Sequence, residues 1–220
     1  MKKLSIIIPV YNEEKTILKV LRKVNSVNIP LAKEIVVVND GSQDNTETIL
    51  KKHKKLYTTF ISKPNGGKGS AVRKGLEAST GDLVLIQDAD LEYNPDEYPV
   101  LLKPILARRT KVVYGSRFKK TQDPGQRWGI PTHYIGNRLL SLTLSILFFR
   151  WIEDMETCYK CFTRDVLEQL DLTENDFRIE PQITTQIIKL GYRIKEVPSA
   201  IITGRLSKVK KLIGVMVSRH

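Results

Sequence analysis

Apolar runs rich in β-branched residues fill positions 4–10, 34–39, 57–62, 82–87 and 111–114, and each gives way to turn or polar residues. Runs of this length, bounded in this way, predict buried strands. Between them the apolar spacing changes. Ile17, Leu18, Leu21 and Val24 share one helical face, and 44–53, 68–78 and 96–107 follow the same logic. Strand and helix alternate up to a fifth strand, which predicts an α/β fold with a mostly parallel central sheet and helices on both faces.

In such a sheet, ligands sit outside the carboxyl ends of the strands, so the residues that follow each apolar run are the candidates for chemistry. Here they are Pro9-Val10-Tyr11-Asn12-Glu13, Asn39-Asp40-Gly41-Ser42, Lys63-Pro64-Asn65-Gly66-Gly67-Lys68-Gly69, Asp88-Ala89-Asp90 and Gly115-Ser116-Arg117. From about residue 119 the strict alternation stops. A basic, turn-rich stretch at 119–128 leads into an apolar run at 139–149, then Glu153-Asp154-Met155-Glu156-Thr157, a helical pattern near 179–190 and a strand-like segment at 193–202. No linker or internal repeat separates the halves. The second half is therefore expected to elaborate the same domain and to build the other wall of a cleft.

Charge narrows the ligand class. The chain has 220 residues, a length that suits one domain, and 36 Lys plus Arg against 24 Asp plus Glu give it +12. That excess favours anions such as phosphates, acidic lipid surfaces or nucleic acid. Nucleic acid is disfavoured, because the basic residues are spread along the whole chain, aromatics are only 7% and no base-reading motif is present. Cys158 and Cys161 form a lone C-x-x-C pair, too few ligands for a zinc site, and read as reduced thiols. Met1-Lys2-Lys3-Leu4 runs straight into the first strand without an apolar leader, which predicts a cytoplasmic protein. The 139–149 run is about half the ~20 residues needed to span a bilayer, and it carries Ser141, Thr143 and Ser145.

Three strand ends carry the candidate chemistry. Asp88 and Asp90, with Glu92 beyond them, put several carboxylates at the end of an almost wholly apolar strand. Hard divalent ions prefer such oxygens. A turn with a helix cap is the structural alternative. Asp40 ends the second strand and is positioned to accept hydrogen bonds from a base or ribose, while Ser42 is expected to cap the following helix. Gly66-Gly67-Lys68-Gly69-Ser70 opens a helix, where glycines permit close backbone approach and the helix start with Lys68 favours an anion. Its spacing is not that of a nucleotide-triphosphatase phosphate loop.

Taken in order, Ser5-Ile6-Ile7-Ile8-Pro9-Val10-Tyr11-Asn12-Glu13-Glu14, Val38-Asn39-Asp40-Gly41-Ser42, Asn65-Gly66-Gly67-Lys68-Gly69, Gln87-Asp88-Ala89-Asp90-Leu91-Glu92 and Tyr114-Gly115-Ser116-Arg117-Phe118 form a set. The chain resembles, over roughly residues 4 to 214, a family 2 glycosyltransferase of the polyprenyl-phosphate (dolichyl-phosphate) mannose or glucose synthase type. The resemblance implies a GT-A fold, a nucleotide diphosphate sugar donor such as UDP-glucose or GDP-mannose, Mg2+ or Mn2+, and inversion at the anomeric carbon. It makes 1–118 the nucleotide-sugar half and 119–220 the acceptor side.

Matched by position, Pro9, Tyr11, Glu13, Val38 and Asp40 would line the base pocket. Asp88, Ala89, Asp90 and Glu92 would hold ribose, diphosphate and metal, with Asp88, Asp90 and Glu92 as the metal ligands and Lys68 beside the donor. Arg117 would face the donor or acceptor phosphate, where a fixed guanidinium fork suits phosphate oxygens. Gly136-Asn137-Arg138-Leu139-Leu140 followed by Asp154-Met155-Glu156-Thr157-Cys158-Tyr159-Lys160 resembles the acceptor side, and Gly204-Arg205 with Lys211 and Ile213-Gly214 match a loop whose Arg and Lys contact phosphates. Lys208, Val209 and Lys210 depart from that loop's usual acidic pattern. The chain ends at His220 without the membrane helices some relatives append. A polyprenyl phosphate would then be reached peripherally from the cytoplasmic face of the membrane.

Two other functions share these residues. One keeps fold and donor but transfers to a soluble or glycan hydroxyl, with Asp154 as the base. The other is a nucleotide-sugar binder without turnover.

Overall fold

A computed structural model of the chain describes residues 1–118, 141, 142, 145, 148 and 150–199. Strand β1 (Lys3–Val10) buries Leu4, Ile6, Ile7 and Ile8 completely. Neighbouring side chains on a strand point to opposite faces, so consecutive buried positions mean that both faces are covered. Helix α1 (Ile17–Ser26) follows, burying Ile17, Val20, Leu21 and Val24. Then come β2 (Ala32–Asp40), α2 (Thr46–Lys52), β3 (Thr59–Lys63), α3 (Lys68–Ala78), β4 (Leu83–Ile86), α4 (Tyr98–Leu106) and β5 (Val112–Ser116). These match the expected order, with ends shifted by a few residues.

Among the described residues the sheet has seven strands in the order β3-β2-β1-β4-β6-β5-β7. Strands β6 (Lys160–Thr163) and β7 (Ile194–Pro198) come from the second half, along with the short helix α5 (Arg164–Leu167) and helix α6 (Ile179–Lys189). β7 runs parallel to β5. β6 lies antiparallel between β4 and β5, pairing Val84 with Phe162 on one side and Val112 with Phe162 on the other. The second half is therefore built into the middle of the sheet as well as beside it. β6 escapes the apolar-run criterion because it is four residues long and begins on a lysine, whose burial has to be compensated elsewhere.

Chain order explains where a site can form. From β1 the chain steps outward to β2 and β3, then returns through α3 to β4 on the opposite side of β1. The carboxyl ends of β1 and β4 thus diverge into a crevice, the topological switch point at which open α/β sheets bind ligands. Helix α3 packs on β1 and β2. It comes close because Gly75 has no side chain: a Cβ there would lie 2.4 Å from Ile7 Cγ2.

Arg205, Lys211, the 119–128 stretch, Gly136-Asn137-Arg138 and most of the 139–149 run lie outside the described residues. Among the described residues no helix is long and apolar enough to cross a membrane.

Candidate functional site

The loop after β4 is braced from below. Tyr98 and Tyr159 hydroxyls donate to Gln87 Oε1 at 2.8 and 2.9 Å, and Gln87 Nε2 donates to the Asp88 carbonyl at 2.9 Å. All three side chains are buried, so each polar atom depends on the others. The Tyr93 ring stacks 4.7 Å from that of Tyr159, and its hydroxyl accepts from the Cys158 N–H at 3.0 Å. Above this floor Leu91 adopts a left-handed φ of 67°, turning the chain so that the Glu92 N–H donates to Asp90 Oδ1 at 3.1 Å.

The carboxylates gathered here are under-compensated. Burial, then the neighbouring charges of Asp88 and Glu92, push the Asp90 carboxyl up to about 7, and burial with Asp88 also raises Glu92. Lys68 is the nearby cation: its Nζ lies 3.0 Å from Asp88 Oδ1 and 3.0 Å from Glu180 Oε1. Burial alone would lower the Lys68 pKa, but these two carboxylates hold it well above its ordinary value. Glu180 in turn pairs through Oε2 with Lys160, whose side chain is 0% exposed. Surplus negative charge on hard oxygen donors fits a divalent cation such as Mg2+ or Mn2+ in kind. Among the described residues, no three acidic, histidine or cysteine side chains already converge as ligands.

Across the crevice, Arg117 Nε and Nη2 donate to Asp154 Oδ2 and Oδ1, and the Arg117 N–H also donates to Oδ2. Asp154 is 0% exposed, and its own N–H donates to Glu196 Oε1 at 2.9 Å. Arg117, expected at the donor or acceptor phosphate, and Asp154 of the acceptor side are thus brought together, with the acid turned to the arginine.

On the nucleotide side the expectations divide. Tyr11 is 44% exposed at the β1 end, and Pro9 beside it is half-buried. Glu13 is buried and receives the Thr16 hydroxyl at 2.5 Å. The Val38 side chain faces the core beside Ile7 and Gly75, which leaves only its backbone to line a pocket. Asp40 is nearly buried and its oxygens are taken: Gly66 N–H donates to Oδ1 at 3.0 Å, Gly67 N–H to Oδ2 at 2.8 Å, and Lys63 pairs with Oδ1.

The glycine turn departs from its expected role for the same reason. With the Gly66 and Gly67 amides given to Asp40, the Ser70 N–H donates to the Asn175 carbonyl at 2.9 Å. A Cβ on Gly69 would meet the Glu174 carbonyl at 2.4 Å and one on Gly67 the Asn175 carbonyl at 2.5 Å, so these two glycines admit the protein's own 174–176 segment. Ser42 likewise does not cap α2. Its hydroxyl accepts from the Asn12 N–H, while Asp44 Oδ1 accepts from the Thr46 N–H at 2.9 Å.

Sequence reasoning missed Tyr98 and Glu180, and it quoted Gln87, Tyr159 and Lys160 within matched motifs without giving them a role. The signal for Glu180 was present: it falls on the stripe Ile179, Ile183, Ile187 of a helical pattern, where a carboxylate needs a buried partner. Nothing local announced that Tyr98 and Tyr159 would both bond Gln87, because these partners are 11 and 72 residues away.

A model of "Glycosyl transferase family 2" matches residues 5–171. The chain is 31% identical over 215 residues to the dolichyl-phosphate beta-glucosyltransferase ALG5A of Trichomonas vaginalis, covering 89% of this chain and 64% of that one. It is 28% identical over 200 residues to the dolichol-phosphate mannosyltransferase of Pyrococcus furiosus, covering 89% and 55%. It is 30% identical over 172 residues to an undecaprenyl-phosphate 4-deoxy-4-formamido-L-arabinose transferase of Pseudomonas aeruginosa, covering 76% and 48%. The chain thus spans roughly half to two thirds of the length of these relatives. In three dimensions it resembles the glucosyl-3-phosphoglycerate synthase of Mycobacterium tuberculosis, solved with Mn2+ and UDP, with a TM-score of 0.71 at 23% identity over 99% of this chain and 80% of that one. Sheet order, crevice and matched motifs therefore agree: the fold is GT-A, and the chain belongs to glycosyl transferase family 2.

Proposed function

We propose that this chain moves a hexose from a nucleotide diphosphate sugar to a polyprenyl phosphate, with inversion at the anomeric carbon. The observation that carries this reading is the Arg117–Asp154 pair. Asp154 is fully buried and gives both oxygens to Arg117, an arrangement suited to holding a guanidinium for a phosphate and unsuited to taking a proton from a sugar hydroxyl. A phosphate monoester is already an anion at neutral pH. Its oxygen attacks the anomeric carbon as the bond to the donor diphosphate breaks, so no proton has to be removed.

The remaining roles follow from position. Tyr11, with Pro9 and the buried Glu13, flanks the β1 end where the base would lie. Asp88, Asp90 and Glu92 would hold Mg2+ or Mn2+, which when bound neutralises the departing diphosphate. Arg117 directs a fixed positive charge at the phosphates. Arg205 and Lys211 enter as further phosphate contacts on their sequence match alone. The relatives named for dolichyl and undecaprenyl phosphate support the acceptor class. That acceptor is membrane-borne, which implies peripheral action at the cytoplasmic face.

The test is transfer of labelled hexose from UDP-glucose and GDP-mannose, with Mg2+ or Mn2+ and a short polyprenyl phosphate. Label in the organic phase is expected. Label appearing only on a water-soluble hydroxyl acceptor, or no transfer with any donor, overturns the reading.

A further inference from the structure

Glu180 and Lys160 are buried charges outside every role given above. Lys160 occupies Glu180 Oε2 and also donates to the Thr157 carbonyl at 2.5 Å, so Glu180 Oε1 is left for Lys68. Lys68 Nζ stands at equal distance, 3.0 Å, from Glu180 and from Asp88. Glu180 and the backbone that carries Lys68 are both held in place. Glu180 sits on α6 between buried Ile179 and Ile183, and the α3 start that carries Lys68 is tied to the 174–176 segment by the Ser70–Asn175 hydrogen bond. A cation placed at equal distance from two anions shifts toward one when the other is taken.

We propose that Glu180 is a positioning residue for the divalent cation, providing the seat to which Lys68 withdraws when the ion takes the oxygens of Asp88. The inference rests on the metal reading above and adds to it a cause for cation affinity outside the ligands. In the metal-free protein Lys68 is an internal competitor for Asp88. Without Glu180, Lys68 would keep Asp88 as its one ion-pair partner among the described residues and would compete harder. Without Lys68, the competition disappears. The two substitutions therefore act on ion affinity with opposite signs, although both break the same ion pair. A merely structural network would give the same sign for both.

Mn2+ binding to the full chain, read from the electron paramagnetic resonance signal of the free ion with no nucleotide, with UDP and with GDP, tests this without reference to turnover. Lys68→Met is expected to tighten Mn2+ binding about tenfold and Glu180→Gln to weaken it about tenfold, the scale of one nearby charge in a partly screened site. Glu180→Gln leaves the Lys160 ammonium buried without its carboxylate, so Glu180→Gln with Lys160→Met is measured beside it and is expected to weaken binding equally. If wild type binds Mn2+ but the variants leave affinity unmoved or shift it in the same direction, the positioning role is overturned and the metal reading stands. If wild type binds no Mn2+ under any of the three conditions, both fall.

Discussion

Arg117 and Asp154 face each other with two donors on two acceptors, Nε to Oδ2 and Nη2 to Oδ1, each at 2.6 Å. Sequence distance hides this pair, and the sheet creates it: β5 ends at Ser116, and the 153–155 segment is held against it by Glu196 of β7. Fork-to-fork pairing fixes the plane of the guanidinium, which a single contact would not do.

Asp154→Asn should therefore act through Arg117. The amide presents a donor to a donor, and breaking a buried pair from one side costs about 3–5 kcal/mol. Chemical denaturation is expected to show a loss near the lower end, about 3 kcal/mol, because the Arg117 side chain keeps 20% exposure. Hexose transfer should fall at least about tenfold at saturating donor, the loss of one charged hydrogen bond at the phosphate. Full recovery of rate at raised pH would contradict a positioning role and restore Asp154 as a base.

Asp90→Asn should separate stability from activity. Asp90 has its carboxyl raised to about 7 in the metal-free protein by burial and then by Asp88 and Glu92, so its ionisation opposes folding. A raised acid pKa means the folded state holds the proton more tightly than the unfolded chain, so the penalty is absent below the ordinary carboxyl range, grows as pH rises from there to about 7, and stays at its full value above. The amide removes the penalty and the charge together. At pH 8 without metal, the melting temperature of the variant should rise by roughly 2–4 °C, the shift about 1 kcal/mol gives in a chain of this size. Transfer should be abolished. Wild-type turnover by the variant would remove Asp90 from the metal set.

Much of this was legible from local pattern. β1, β2 and β4 are buried on both faces and announce themselves as apolar runs, and the polar residues that follow mark the crevice before any coordinate is known. What local pattern cannot carry is satisfaction of polar groups by distant partners. Asp40 looks available for a ligand until the Gly66 and Gly67 amides close on it, and Lys160 looks like a surface residue until Glu180 arrives from α6. β6 was invisible for the same reason. Its stability lies in pairing with β4 and β5, not in its own four residues.

Gly75→Ala tests how closely α3 rides on the sheet. In an exposed helix interior this change gains about 1 kcal/mol from reduced unfolded-state freedom and better propensity. Here the new methyl would lie 2.4 Å from Ile7 Cγ2 and 3.3 Å from Val38 Cγ2, both branched side chains packed in the core. Overpacking of this kind costs about 1–3 kcal/mol, so the sign reverses and the melting temperature should drop. A melting temperature equal to or above wild type would show that α3 can lift from β1 without loss.

Asp40→Asn distinguishes a base contact from a turn anchor. The carboxylate accepts from Gly66 N–H at 3.0 Å and Gly67 N–H at 2.8 Å and pairs with Lys63. An asparagine keeps one acceptor oxygen but turns an NH2 toward the second amide and leaves Lys63 without its anion. Hydrogen bonds to a charged group contribute about 1.5–3 kcal/mol each, so the loss of one should lower stability by about 2 kcal/mol, read by urea unfolding. The effect should pass to the crevice, since Lys68 follows the turn directly and its contact with Asp88 depends on where α3 begins. Weaker binding of UDP and GDP alike, accompanied by that destabilisation, is the expected outcome, because a shifted turn has no preference between bases. A variant of undiminished stability that exchanged its preference between UDP and GDP would instead place Asp40 in contact with the base.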